Sequence, residues 1–319
     1  MYGKIDIRGI LEEYNNKRSY EEARVNEVLN RLIAENPEFK KAREEYSRAR
    51  AMHAMAKLKG ENYDFDKAKR QYATNLNSAC KSSSINRDEL ETKYTCNDCK
   101  DTGYIGDNEK TFCHCLINKA TKNALASQNL QHDVTFDNFD ENIFPDDKRI
   151  DKQGRSQKEH ILHIKDRAIK WCESFPKTNK LQTLFIGVTG VGKSFMINCM
   201  AHKIIEKGYS VVNLTAGGIN EAMLKVINER DNSIIKLFKS CDLLIIDDLG
   251  VEPILRNITV ETLYEIIEYR LSNKKHTIIC TNLTLPKIEQ RYGYRVFSRI
   301  SSTRNTALMH ILGDDLRRL

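Results

Sequence analysis

The sequence predicts an α/β protein in which a parallel five-stranded sheet lies between helices, preceded by a helical region and a cysteine-rich module. From about Ser156 onward, short β-rich apolar runs alternate with amphipathic helical patterns. Such alternation is typical of a parallel sheet that is covered by helices on both faces. Before that point, residues 1–80 carry helical patterns, and four clustered cysteines follow them. A chain of 319 residues is long enough for more than one domain, each with its own core.

Composition and charge argue against a membrane protein or a disulfide-rich secreted one. Charged residues make up 30% of the chain and apolar residues 40%, which are ordinary values for a soluble protein. No apolar run approaches the ~20 residues of a membrane-spanning helix, and the N-terminus has no apolar signal segment. We therefore expect a cytoplasmic protein without membrane contact. The net charge of +7 is compatible with a polyanionic partner but does not require one.

Three amphipathic helices are predicted in residues 1–80. The run Ser19-Tyr-Glu-Glu22 is typical of a capping box at the start of the first helix, and an apolar stripe follows over residues 25–33. Asn36-Pro37 ends this helix, a second runs from Pro37 to about residue 58, and a third begins near Asp64. Because their apolar stripes are narrow and rich in alanine, we expect these helices to pack on a neighbour or a partner.

The cysteines at 96, 99, 113 and 115 predict a metal site. Two close pairs of thiolates, separated by a loop with two glycines, suit tetrahedral zinc, and this spacing favours a four-cysteine zinc site over an iron–sulfur cluster. His114 is an alternative ligand in place of one of the last pair. The odd total of nine cysteines argues against a disulfide framework. We expect zinc to hold a small partner-binding surface in shape, because such metal binding contributes folding energy.

Within the α/β region, the pattern predicts five strands with helices between them. The predicted strands are 182–187, 209–214, 242–247, 276–281 and 307–312, and the predicted helices are 157–173, 193–207, 217–229 and 259–272. Three scattered cysteines fall within or beside these elements, where cysteine is usually a small buried hydrophobe: Cys199, Cys241 and Cys280.

A glycine-rich segment between the first strand and its helix predicts a nucleotide site. It fits the phosphate-binding pattern G-x-x-x-x-G-K-[ST], and the strand-loop-helix context is the one that this motif requires. The glycines let backbone N–H groups converge on phosphate oxygens, and the helix N-terminus adds its positive dipole. Lys193 is expected to reach the β- and γ-phosphates, and Ser194 to place its hydroxyl on Mg²⁺. The predicted ATP-binding segment comprises Gly187, Val188, Thr189, Gly190, Val191, Gly192, Lys193 and Ser194.

Polar residues at two strand ends extend this site. The strand 242–247 ends in Asp247, which at this edge of a parallel sheet can hold Mg²⁺ through its water shell. Asp248 follows it and is expected to orient or deprotonate the attacking water. Asn282 follows the strand 276–281, where its amide can contact the γ-phosphate. Arg295 and Arg299 come later, four residues apart on one helical face.

The order of GVTGVGKS, LLIIDDLG, IICTN, RVFSRI and a terminal GDDLRR resembles the AAA+ ATPases, in particular the bacterial replicative helicase loaders of the DnaC/DnaI type. The resemblance covers residues 132–319, and the zinc module extends it toward the loaders. It implies that Asn282 is the sensor I residue and that Arg317 is the sensor II residue. It also implies that Arg299 is the arginine finger reaching a neighbouring subunit, with Arg295 as an ancillary contact.

Two departures from many AAA+ enzymes suggest a slow, switch-like ATPase. Asp248 stands where many members have glutamate, and the chain ends at Leu319 without the helical lid that many carry. Four domains are expected: residues 1–80 bind a helicase, 81–130 form the zinc module with a helix, 131–155 form a linker and 156–319 form the ATPase domain.

The resemblance implies an ATP-dependent loader that binds the hexameric replicative DNA helicase and delivers it onto single-stranded DNA during replication. ATP binding and hydrolysis would act as the switch, and the AAA+ domains would self-associate. Two alternatives stay open: a transposition-helper type of AAA+ adaptor, and an ATP-binding scaffold with negligible hydrolysis. Four basic residues are candidates for the DNA path, although an ordinary solvated helix face explains them equally well: Lys225, Arg230, Lys236 and Lys239.

Overall fold

The computed structural model describes residues 5–106, 110–127 and 134–318. They belong to two compact units, one comprising Leu11–Gly103 and the other comprising Met1–Ile10 with Tyr104–Leu319. Among the described residues, no helix is both long enough and apolar enough to cross a bilayer. The domain boundaries predicted from the sequence stay predictions.

Residues 11–103 are mainly helical. The elements are α1 (Ile7–Glu35), α2 (Pro37–Lys59) and α3 (Asp66–Ser82), followed by a 3-10 turn at Arg87–Leu90. Pro37 begins α2 as predicted, because its fixed φ suits the first helical turn. The core of this region contains Leu32, Phe39, Ala79, Cys80 and Ile85.

The expected capping box at Ser19 is wrong. Helix α1 already begins at Ile7, so Ser19 and Glu22 lie inside a continuous helix. The apolar face of α1 continues upstream of Ser19, since Ile10 and Tyr14 are buried. A serine followed three residues later by glutamate therefore marks a helix start only where the apolar periodicity also begins.

A two-stranded antiparallel hairpin and a helix surround the second cysteine pair. The hairpin pairs β1 (Tyr104–Ile105) with β2 (Thr111–Phe112). Helix α4 (His114–Ser127) follows directly. It is the helix predicted for the zinc module 81–130, whose residues 128–130 lie outside the described part of the chain.

The predicted five-stranded parallel sheet is confirmed. Its strands are β3 (Gln182–Ile186), β4 (Val211–Thr215), β5 (Leu243–Leu249), β6 (His276–Thr281) and β7 (Thr306–His310), in the spatial order β4-β5-β6-β3-β7. The helices beside it are α5 (Gln157–Ser174), α6 (Lys193–Glu206), α7 (Ala216–Glu229), α8 (Ser233–Ser240), α9 (Thr259–Ser272) and α10 (Leu285–Ile300). Helix α8 was not predicted, and α10 was anticipated only as the helical face that carries Arg295 and Arg299.

The sheet order determines which strand ends meet. Strand β6 lies between β3 and β5 and pairs in parallel with both, with Ile186 of β3 opposite Thr281 of β6. Every residue of β3 and β6 is buried, so apolar layers cover both faces of the sheet. The segments after β3, β5 and β6 therefore emerge side by side at one edge of the sheet, which is where ligands bind in open α/β folds.

Candidate active site

The loop between β3 and α6 has the backbone geometry of a phosphate cradle. Gly190 has φ +81° and Gly192 has φ +93°, conformations that glycine adopts without steric cost. At Gly187, an added Cβ would lie 2.4 Å from the carbonyl oxygen of Ile311, so a side chain would not fit there. Helix α6 begins at Lys193, and its first N–H groups face this loop as an anion site requires.

Lys193 places a buried cation at this loop. The residue is only 7% exposed, and its ammonium donates to the carbonyl oxygens of Gly187 at 2.8 Å and Val188 at 2.7 Å. These neutral acceptors leave the charge available to an anion. Ser194 is exposed in the first turn of α6.

The two aspartates lie at an irregular strand end. The pairing of β5 with β6 shifts register between Ile246 and Leu249, and Asp248 has φ +51°. The backbone N–H of Asp248 donates to the carboxylate of Asp247 at 2.8 Å. Burial raises the pKa of the Asp248 carboxyl, and the neighbouring Asp247 charge raises it further, while Lys193 opposes the shift. A carboxylate with a raised pKa is better suited to accept a proton near neutral pH.

Asn282 follows β6, directly between the segments that follow β3 and β5. It is exposed, whereas the preceding Thr281 is buried and its side chain connects the ends of β5 and β6. The Thr281 hydroxyl donates to the carbonyl oxygen of Leu249 and accepts from the backbone N–H of Leu283 at 3.0 Å. The fold thus brings the loop, both aspartates and Asn282 to one edge, and their functional roles stay predictions.

The segment after β7 packs against the glycine-rich loop. The N–H of Leu316 donates to the carbonyl oxygen of Gly190 at 3.1 Å, and an added Cβ at Gly190 would lie 1.5 Å from a carboxylate oxygen of Asp315. The next residue, Arg317, lies in the 3-10 turn Leu316–Arg318, and its charge lowers the pKa of Asp248. The predicted sensor II arginine is therefore electrostatically coupled to the predicted catalytic carboxylate.

Gln157, which no motif in the sequence indicates, holds this segment in place. It is only 3% exposed, and its side chain bonds both backbone groups of Asp314. The amide nitrogen donates to the Asp314 carbonyl at 3.1 Å, and the amide oxygen accepts from the Asp314 N–H at 3.0 Å. The sequence around Gln157 indicates only a helix start, because Gln157 follows the N-cap serine of α5.

Aromatic residues before α5 form an apolar wall beside the loop. The ring of Phe144 lies 3.6 Å from an added Cβ at Gly192. Phe139 stacks on Phe144 with ring centroids 5.5 Å apart, and it contacts Phe195 of α6 edge-on at 5.9 Å. The sequence shows the spacing of these phenylalanines but not their contact with the loop. Such a wall can pack against a planar base.

Cys280 also takes part in the site, although the sequence suggested only a buried hydrophobe. It is fully buried on β6, as expected. Burial raises the pKa of its thiol, and a hydrogen bond with the Asp247 side chain acts in the same direction. The thiol therefore stays protonated and helps to orient the carboxylate of Asp247.

Arg295 and Arg299 of α10 contact α9 within their own chain. The Arg299 guanidinium pairs with the carboxylate of Glu268 and hydrogen-bonds the Tyr264 side chain. The Arg295 guanidinium lies 4.3 Å from the centroid of the Tyr264 ring. These bonds raise the pKa of Arg299 above its already high value, so its positive charge is permanent.

The four predicted zinc ligands come together. The sulfur atoms of Cys96, Cys99, Cys113 and Cys115 all lie within 4.8 Å of one another. This fits zinc, because four thiolates with Zn–S bonds of about 2.3 Å place their sulfur atoms about 3.8 Å apart. Asp101 shapes the first pair by accepting the N–H groups of Thr95 and Cys96, both at 2.8 Å.

The alternative ligand His114 is exposed and lies outside that four-sulfur set. Its Nδ1 is 3.7 Å from the sulfur of Cys113, and it forms a second, mixed grouping with Cys96 and Asp98. The four-thiolate set suits zinc better, because soft ligands of one kind give the closed tetrahedral geometry of structural zinc sites.

The candidate basic residues for DNA differ in their surroundings. Lys225, Arg230 and Lys236 are exposed. Lys239 instead pairs with Glu265 and lies 5.3 Å from the Tyr269 ring centroid, so its charge is largely compensated within the chain.

Comparison with known proteins gives matches to one part of the chain. Residues 159–311 match the family of IstB-like ATP binding proteins. Over 149 residues the chain is 22% identical to the replicative helicase loader DnaI of Bacillus subtilis (strain 168), which covers 46% of this chain and 47% of DnaI. Over 155 residues it is 26% identical to the replicative helicase loader DnaC of Escherichia coli (strain K12), which covers 46% of this chain and 60% of DnaC.

A solved crystal structure of the DnaC helicase loader is similar at 24% identity with a TM-score of 0.43, over 49% of this chain and 90% of that chain. The alignments with the curated relatives span about half of DnaI and three fifths of DnaC. The resemblance to the DnaC/DnaI type that the motifs predicted is confirmed for this segment.

Proposed function

We propose that this chain, whose residues 159–311 form an AAA+ P-loop domain related to the DnaC/DnaI loaders, is an ATP-dependent loader of the replicative DNA helicase. The observation that carries the proposal is the combination of two features. The glycine-rich loop with Lys193, both aspartates and Asn282 lie at one sheet edge, and a helical region with a four-cysteine cluster precedes this domain.

ATP binding follows from the loop geometry. The N–H groups of residues 188–194 bind the phosphate oxygens, and Lys193 exchanges the carbonyls of Gly187 and Val188 for the β- and γ-phosphates. The wall that contains Phe139 and Phe144 packs against the adenine base. Ser194 and Asp247 would hold Mg²⁺, which when bound neutralises charge on the β- and γ-phosphates.

Hydrolysis requires a carboxylate and added positive charge. Asp248 orients the attacking water and accepts its proton, a role that its raised pKa supports. Asn282 contacts the γ-phosphate from the neighbouring strand end, and Arg317 approaches from the segment after β7. Arg299, with Arg295 beside it, serves the site of the adjacent subunit, so that turnover depends on assembly. The aspartate in place of glutamate supports slow turnover.

The remaining partners are assigned to surfaces outside this edge. Residues 1–130, with zinc held by the four cysteines, bind the hexameric helicase. Lys225, Arg230 and Lys236 contribute to single-stranded DNA binding, because exposed cations contact phosphates. The curated relatives are named helicase loaders, which favours a loader over a transposition helper.

The test uses the full-length chain with the replicative helicase and circular single-stranded DNA. The wild type should retain the helicase in a pull-down and raise the amount bound to DNA when ATP is present. Lys193→Ala should lose ATP binding and this increase. Lys203→Ala is the matched control, because this lysine lies on the same helix α6, is half exposed and pairs with the exposed Glu206.

Two outcomes would contradict the proposal. If no helicase is retained by a wild-type protein that binds ATP, the partner is wrong and the transposition-helper alternative becomes preferred. If the helicase is loaded equally with and without ATP, and no phosphate release is detected on DNA, the chain acts as a scaffold.

A further inference from the structure

A buried carboxylate lies just behind the predicted catalytic edge and has no role in the chemistry described above. Glu252 is only 4% exposed, in the loop after β5. One carboxylate oxygen accepts the backbone N–H of Gly250 at 2.8 Å, and the other accepts the hydroxyl of Tyr292. A buried carboxylate is costly unless its oxygens are hydrogen-bonded, so both partners are needed to keep Glu252 in this position.

The first partner belongs to the strand end that carries the aspartates. Gly250 comes two residues after Asp248 and has φ +116°, and a side chain at this position would collide with Leu283. Leu283 in turn follows Asn282 directly. The N–H group that Glu252 binds is therefore part of a closely packed junction between β5 and β6.

The second partner belongs to the helix that carries the arginines. Tyr292 is buried on α10 and is followed by Gly293, whose φ of 77° and ψ of 164° break the helix. Arg291 adds a bond from its guanidinium to the backbone carbonyl of Glu252. Arg295 and Arg299 lie beyond the break, so their direction depends on how the residues before Gly293 are held.

We propose that Glu252 is a positioning residue that fixes the arginine-bearing half of α10 relative to the strand end of Asp247 and Asp248. Each subunit then presents Arg299 to its neighbour at an angle that is set by its own nucleotide site. This inference rests on the proposed trans role of Arg299 and identifies what aligns that arginine. A purely structural Glu252 would instead affect every property of the domain alike.

The experiment separates the two sides of an interface by mixing inactive variants and measuring ATP hydrolysis on single-stranded DNA. Asp248→Asn removes the carboxylate from a subunit's own nucleotide site. Arg299→Ala removes the arginine that a subunit supplies to the site of its neighbour. In the parent mixture of these two proteins, interfaces that pair an intact Asp248 with an intact Arg299 should restore part of the activity. Tyr292→Phe, which deletes only the hydroxyl that Glu252 binds, is then added to one partner at a time.

The expected result is asymmetric. Tyr292→Phe on the Asp248→Asn protein, which supplies Arg299, should lower the restored activity by about tenfold or more, since ~1 Å of misplacement can cost about 100-fold in rate. The same change on the Arg299→Ala protein should lower it by less than about twofold. Glu252→Gln should show the same asymmetry if it folds, and ATP affinity should stay normal in every variant.

Tyr294→Phe is the matched control, because Tyr294 lies on the other side of Gly293 and is exposed. Equal losses in the two arms, or no loss in either, would overturn the positioning role. A parent mixture with no restored activity would instead refute the trans role of Arg299 in the proposed function, and the positioning role with it.

Discussion

Replacement of Gln157 by alanine should release the segment after β7 from the nucleotide site. The buried side chain makes two hydrogen bonds to Asp314, and each contributes about 1 kcal/mol net. The loss also leaves the N–H and carbonyl of Asp314 without these partners, at a cost of up to about 1–3 kcal/mol if they stay buried. A total of about 2–5 kcal/mol corresponds to a shift of about 30- to 5,000-fold toward the undocked segment.

This shift is measurable apart from catalysis. Hydrogen exchange of residues 312–318 should become faster in the Gln157→Ala protein, and its ATP affinity should fall because Arg317 leaves the site. Gln153→Ala is the control, since Gln153 is exposed and its side-chain oxygen accepts a hydrogen bond from the nearby Arg155 at 3.3 Å. Unchanged exchange of residues 312–318 in Gln157→Ala would show that the contacts with Gly190, and not those with Gln157, hold the segment.

Three further predictions follow from the site geometry. The double change Cys96→Ser and Cys99→Ser should abolish the expected one equivalent of zinc per chain and spare ATP binding; metal analysis that shows full zinc would refute the ligand set. ATP hydrolysis should decrease as the pH falls through the raised pKa of Asp248, because the protonated carboxyl cannot accept a proton, and a flat pH profile would exclude it as the base. Glu268→Gln should favour the trans contact by freeing Arg299 and should lower the protein concentration for half-maximal ATPase by up to about fivefold, since such an exposed pair contributes about 0.2–1 kcal/mol; a higher concentration would contradict this.

The sheet and the nucleotide loop could be predicted because their signals are local. Each strand is a short apolar run between helical patterns, and the five observed strands differ from the predicted ones by a few residues at the ends. Helix α10 was anticipated only in its second half, as the face that carries Arg295 and Arg299, because Gly293 interrupts the helix in the middle. Helix α8 has only eight residues, too few to establish a helical period.

Long-range contacts could not be predicted in this way. Gln157 bonds Asp314 across more than 150 residues of sequence, and neither residue belongs to a sequence pattern that predicts this contact. Glu252 likewise looks like an ordinary loop glutamate, and only the fold shows that it is buried against Tyr292. The sequence therefore indicates the residues that are expected to contact the nucleotide, while the residues that hold them in place become visible once the strands are paired.

The arrangement of charges supports the proposed trans role of Arg299. Lys193 and Arg317 are the cations that influence Asp248 within its own chain, whereas Arg295 and Arg299 are held on α9 by Tyr264 and Glu268. The Glu268 pair is partly exposed, so the bond is weak enough for Arg299 to exchange one anionic partner for another. Phosphate oxygens of a neighbour's nucleotide carry more charge than a single carboxylate and accept a planar guanidinium well. Under the proposed function, assembly would convert this internal ion pair into a catalytic contact, and we therefore expect ATP hydrolysis to stay slow until the subunits meet.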